Sequence, residues 1–160
     1  MNGGIAPSLL LCATIALMLS FTSGRLAWVA VAGMTATAGV IAMVAFPQSL
    51  ATAVFAGIWA TIIAAAAQTY FSPKVAQRWA LPLAVVAGVG VGSLASLSGR
   101  KSDLFFALPI SLLFVPGRWI VARGYGLMIK IVASWMIAIA MLSAFVSLTP
   151  TPGYQPDHME

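Results

Sequence analysis

Charge is scarce in this chain, and acid is scarcest: 7% of its 160 residues are Asp, Glu, Lys or Arg, and only three of those are acidic. Globular proteins carry about 25% charged residues, so an ordinary water-facing surface cannot be assembled from this composition. The acids are Asp103, Asp157 and Glu160, and the one histidine is His158. Paired carboxylates, a His–carboxylate set and the HExxH pattern are therefore missing, and acid–base catalysis loses its usual groups. The one cysteine, Cys12, excludes an intrachain disulfide and a paired-thiolate metal site. It lies inside an apolar run, whereas reactive thiols need an electropositive, accessible setting. Asp157, His158 and Glu160 stand on a proline-rich tail, where solvation is the simpler reading. The expectation is no enzyme, with no catalytic residue, no metal and no cofactor.

What is present is apolar: 61% of the chain is hydrophobic, in runs interrupted by short polar turns. A hydrocarbon core about 30 Å thick takes about 20 apolar residues per helical crossing. Lipid cannot bond the backbone, so a span is either a helix or a strand of a closed barrel. Barrel strands alternate apolar and polar residues, and Ala53–Ala67 shows no alternation. The fold class expected is all-α, a polytopic transmembrane helix bundle of about six segments. They run Ile5–Phe21, Leu26–Phe46, Ser49–Phe71, Arg78–Leu97, Leu104–Ala122 and Ile131–Leu148. Residues 1–148 form one transmembrane domain and 149–160 a short polar tail. The first segment has no Lys or Arg before it, unlike a signal peptide with its positive n-region, and is read as a retained helix.

Eight basic residues give a net charge of +5. They are scattered through separate turns and form no stripe on one face, which excludes nucleic acid as a partner. In alternate turns they orient a membrane protein instead. If all six segments cross, Arg25, Lys74, Arg78, Arg118 or Arg123, and Lys130 share one side, and Arg100 and Lys101 take the other with Asp103. The first side is expected in the cytoplasm, with both termini outside, in a bacterial inner (plasma) membrane. A re-entrant fifth segment would reverse the last helix. Trp28, Trp79, Trp119 and Tyr125 fall near segment ends, as interfacial aromatics do. Trp59 and Trp135 fall mid-segment, where gap-filling between helices is expected.

Ala84, Gly88, Gly92 and Ser96 recur every four residues on the fourth helix, with Gly90 beside them. Small residues at this spacing let two backbones approach closely. The stripe packs within one subunit, forms a homo-oligomer seam, or lines a path. A second stripe follows Ala53, Gly57, Thr61, Ala65 and Thr69 on the third helix.

The fifth segment contains Pro109 and then Pro116-Gly117-Arg118. Proline lacks an N–H and clashes with the preceding turn, so a break or kink is expected at Pro116-Gly117. Transporters often place a solute at such a break, and the forked donors of Arg118 suit an anion. The candidate substrate-binding set is Arg118, Gly117, Ser111 and Gln68. The bland alternative is a kinked helix whose Arg118 snorkels to the headgroups. The Pro109 to Val115-Pro116-Gly117 spacing, with an apolar helix after it, resembles the C-terminal membrane domain of the threonine/serine exporter family. Arg118 stands where that family usually has a small residue, and the family's larger partner domain has no counterpart here. No family is assigned on this stretch.

The remaining polar residues within spans are Thr14, Thr35, Thr37, Thr52, Thr61, Gln68, Ser111, Ser134 and Ser143, and no Asp, Glu, Lys or His sits mid-span. Two functions fit: a small permease or transport subunit for an uncharged or anionic solute, or an accessory, anchoring subunit of a larger membrane complex. Partners expected are the lipid bilayer and either further copies of the chain or a membrane partner subunit. Circular dichroism in detergent should report a helical protein, and substantial strand signal would overturn the fold class.

Overall fold

Each apolar run lies between residues that stop a helix, and the computed structural model places helices between those stops. It describes residues 6–44, 47–99 and 106–148. The helices are α1 (Ala6–Leu19), α2 (Gly24–Ile41), α3 (Ala51–Gln68), α4 (Pro73–Ser98), α5 (Phe114–Ala122) and α6 (Gly126–Leu148). A 3₁₀ turn, Gln48–Leu50, leads into α3, and a 3₁₀ stretch, Leu108–Leu113, runs directly into α5. No strand occurs among the described residues.

The stops are chemical. Ser72 holds extended backbone before α4, and Pro73 takes the first helical position, where its missing N–H costs no bond. Gly99 closes the same helix at φ 67°, a left-handed conformation that glycine adopts without penalty. Three boundaries differ by several residues from the expected ones, and the last helix is one of them, opening at Gly126 rather than Ile131. α4 opens at Pro73 rather than Arg78, because Lys74 and Arg78 can stay helical while reaching toward the interface. α2 ends at Ile41 rather than Phe46, and Ala42–Val44 turn away before Pro47. The tail assigned to 149–160 lies outside the described residues.

Four stretches are long and apolar enough to cross a membrane: Gly24–Ile41, Gln48–Gln68, Lys74–Ser98 and Gly126–Val146. Two apolar helical stretches are shorter, Ala6–Leu19 and Leu108–Ala122. The fifth segment is irregular, but at the stretch that holds Pro109 and not at Pro116-Gly117, where the break was expected. The helix runs through Pro116 and Gly117. Pro116 falls in the first turn of α5, where a missing N–H is tolerated. The departure from α-geometry sits upstream, in Leu108–Leu113.

Successive helices alternate in direction, as two sets of contacts establish. At one end Gly117 packs on Ser20, Phe21 lies beside Gly126, and Tyr70 donates a 2.7 Å hydrogen bond to the Lys130 carbonyl. At the other end Ser96 Oγ donates a 2.6 Å bond to the Val44 carbonyl. α1 lies innermost. Leu11, Cys12, Thr14, Ile15, Met18 and Leu19 are fully buried, spread over more than one face of the helix. A helix apolar all round is at home in such a place.

α2 and α4 run parallel and pack backbone to backbone. A Cβ added at Gly88 would stand 2.5 Å from the Met34 carbonyl oxygen, and one at Gly92 would stand 2.6 Å from that of Ala38. Ala84 is fully buried above them. Gly90 faces elsewhere, and its added Cβ would meet Ile58 of α3 at 3.0 Å and Leu11 of α1 at 3.2 Å. The glycines of α4 therefore seat three helices around it. The α3 stripe divides instead: Ala53 and Gly57 are exposed, while Thr61, Ala65 and Thr69 are buried. Trp59 is 5% exposed and fills the interior; Trp135 is 70% exposed and fills no gap in this chain.

Gly88→Leu and Gly92→Leu should each destabilise the bundle by about 1–3 kcal/mol or more, the usual cost of overpacking. Gly39→Leu should be nearly neutral, because a Cβ there meets nothing within 4 Å. Thermal unfolding in detergent checks the contrast, and equal behaviour of Gly39→Leu and Gly92→Leu would contradict the close approach.

Candidate functional site

Segment five lies antiparallel to α2, and a ladder of contacts sets the register. Arg118 pairs with Gly24: a Cβ at Gly24 would sit 2.7 Å from one guanidinium nitrogen. One step deeper, Trp28 meets Phe114 edge-on, with ring centroids 5.1 Å apart and planes at 86°. Deeper still, Val31 and Thr35 face Leu108, Pro109, Ser111 and Leu112 across an outward-opening groove of about 280 Å³. Glycine at position 24 is what lets the guanidinium lie against the α2 backbone.

The site residues foreseen from sequence are dispersed. Only Ser111 lines the groove, and its hydroxyl donates to the Leu108 carbonyl at 2.6 Å. Gly117 is closed over by Ser20, whose Oγ and Cβ occupy the space a side chain would need. Gln68 ends α3 with its Oε1 buried and unpartnered. Arg118 is part-buried and forms no hydrogen bond or ion pair among the described residues. Thr35 donates to the Val31 carbonyl at 2.8 Å, so both hydroxyls beside the groove are turned onto their own chain. The groove is apolar in character. Elsewhere in the spans Thr14, Thr37, Thr61 and Ser134 make the same short bonds to carbonyls of their own helix.

Electrostatics is one-sided at this end. Arg25, Lys74, Arg78, Arg118, Arg123 and Lys130 all gather there, and no Asp or Glu occurs among the described residues. Arg123 stacks on Trp119, 3.6 Å from the ring centroid, which holds the cation without an acid. Arg118 rests on the first residue of α2, where the helix dipole is itself positive, and the Ser23 side chain does not cap that end. Two like-signed sources thus meet with no protein anion between them. Among the described residues no cluster of His, Cys, Asp or Glu could hold a metal ion.

Sequence inspection noted Trp28 and Thr35 but did not join them, Gly24 or Val31 to segment five, because nothing in a single sequence ties α2 to a segment 80 or so residues downstream. The outward small residues Ala56, Ala60 and Ala64 of α3, all exposed, were legible as a four-residue repeat but stand beside the stripe that was chosen.

No family model, characterised protein or solved structure matches this chain. The likeness to the threonine/serine exporters gains no support, and the residues themselves carry the functional reading. Gly117→Ala should lower the unfolding temperature by crowding Ser20, and Ser20→Gly in the same chain should restore much of it. Lack of any such rescue in a thermal melt would show that the two positions do not pack.

Proposed function

We propose that this chain is a non-catalytic integral membrane subunit that docks a further transmembrane helix on the outward face of α3. The supporting observation is the size of the side chains there. Thr52, Ala53, Ala56, Gly57, Ala60 and Ala64 are all exposed, and a Cβ at Gly57 would meet nothing within 4 Å. The outward face of α6 is built differently, with Trp135, Leu142 and Phe145 each 67–70% exposed. Large side chains suit lipid tails. A run of small ones leaves lipid poorly engaged but lets a second helix backbone come close.

The six helical segments are read as six crossings, the two short ones completed by turns at the interfaces. The end carrying six basic residues faces the cytoplasm, which places both chain ends outside, across a plasma membrane of the bacterial inner-membrane kind. A permease for a small uncharged or anionic solute is the rival. It needs a polar route near Arg118, whereas the groove beside segment five is apolar and its hydroxyls are satisfied on their own chain. That balance favours docking.

Cysteine placed at Gly57 or Ala60, in a Cys12→Ala background, should cross-link in native membranes. A product of twice the chain mass identifies a second copy, and any other mass a partner subunit. Gly57→Leu should abolish the larger assembly on native gels while leaving the melting temperature unchanged. An assembly of unaltered size in Gly57→Leu and Ala60→Leu would reject docking on this face.

A further inference from the structure

We infer that the seam between α2 and segment five is a binding site for one anionic phospholipid. Its phosphate would lie against Arg118 at the Gly24 end, and one acyl chain would lie in the groove below. This inference is independent of docking on α3.

Two separate observations meet along the seam. The first is the cation. Arg118 is part-buried, forms no hydrogen bond or ion pair among the described residues, and lies against the α2 backbone in the space that glycine at position 24 leaves. Arg25 follows at the next position, and exposed Trp28 and Trp119 flank the seam at the depth that interfacial aromatics occupy. A guanidinium in that layer matches a phosphate with paired donors, and each cation close to the surface favours anionic over neutral lipid.

The second observation is the groove. It begins at Val31 and reaches Thr35, which at 1.5 Å per residue is roughly 10–16 Å along α2 from Gly24. Half of a hydrocarbon core is about 15 Å thick, so an acyl chain hanging from a headgroup at Arg118 passes through the groove. Its walls are Val31, Leu108, Pro109 and Leu112, and the hydroxyls of Thr35 and Ser111 are already bonded. A free inorganic anion would use the cation and leave the groove idle. A zwitterionic phospholipid offers Arg118 the same phosphate but brings a cation of its own beside Arg118 and Arg25, which repel it. An anionic phospholipid uses both.

The test is lipid retention by the purified full chain in a mild non-ionic detergent, read by native mass spectrometry. Dioleoylphosphatidylglycerol competes with dioleoylphosphatidylcholine, which has the same chains. Wild type should retain the anionic lipid over the neutral one by roughly five- to tenfold. Arg118→Ala should bring the two level, and Arg118→Lys should keep part of the preference. Thr35→Phe, which fills the groove, should lower retention of the anionic lipid with Arg118 intact. Lys74→Ala removes a charge from α4, which does not line the groove, and should lower the preference far less than Arg118→Ala does. If Arg118→Ala fails to fold, Arg118→Gln takes its place. An undiminished preference without Arg118, or undiminished retention in Thr35→Phe, overturns the site. Displacement of the lipid by inorganic phosphate alone overturns it as well, and assigns Arg118 to free anions.

Discussion

The rest of this structure depends on the contact of two parallel backbones, α2 and α4, with nothing between them but glycine. Lipid tails are as apolar as leucine, so burying apolar surface gives membrane helices little reason to associate. Dispersion at short range does the work. At Gly88 and Gly92 the α4 backbone comes close enough to the Met34 and Ala38 carbonyls that even one methyl has no room. α1 and α3 pack on the face of α4 that Gly90 leaves open. The seam with segment five lies on the side of α2 that this pairing turns outward.

Hydropathy made the all-helical class and the approximate position of the described helices readable, four of them long and apolar enough to cross a membrane, because a span must be apolar over its whole length. Backbone geometry was less readable. A four-residue repeat advances by about 40° per step on a helix of 3.6 residues per turn, so a long stripe does not stay on one face. The α3 stripe begins outside at Ala53 and Gly57 and has rotated inside by Thr61, Ala65 and Thr69. Pro116 was misjudged for a related reason. Its effect depends on its place in a helix, and a start at Phe114 put it in the tolerant first turn. Pro82, by contrast, lies within α4, which continues through it.

Arg118 shows where single-sequence reasoning stops. Its charge and its place after Pro-Gly were visible, and both a solute site and a snorkelling side chain were compatible with them. The decisive neighbour is Gly24, an unremarkable turn residue brought there by the antiparallel register of α2 and segment five. Trp28 on Phe114 fixes the same register at mid-ladder. Such pairings depend on how helices are arranged in three dimensions, which local pattern does not encode. The gathering of Arg25, Lys74, Arg78, Arg118, Arg123 and Lys130 at one end was legible from their positions along the chain; Arg100, Lys101 and Asp103, assigned to the other end, lie outside the described residues.

The shortness of segment five has a mechanical consequence for the surrounding bilayer. α1 is short too, at 14 residues, but it is surrounded by protein and imposes nothing on lipid. Segment five is at the periphery, with Leu112, Leu113, Val115 and Trp119 all outward. Six residues in 3₁₀ geometry and nine in α-geometry span roughly 25 Å, and helical Phe106 and Ala107 before them add about 3 Å, against about 30 Å for the hydrocarbon layer. If this segment crosses a bilayer, lipid next to it would be compressed somewhat more than lipid along the 23-residue α6. The protein would thus sit in an uneven annulus, thin on one flank and full on the other. Mismatch of this kind carries an energy for every ångström of deformation, and neighbours with equally short spans would share it by gathering at the thin side.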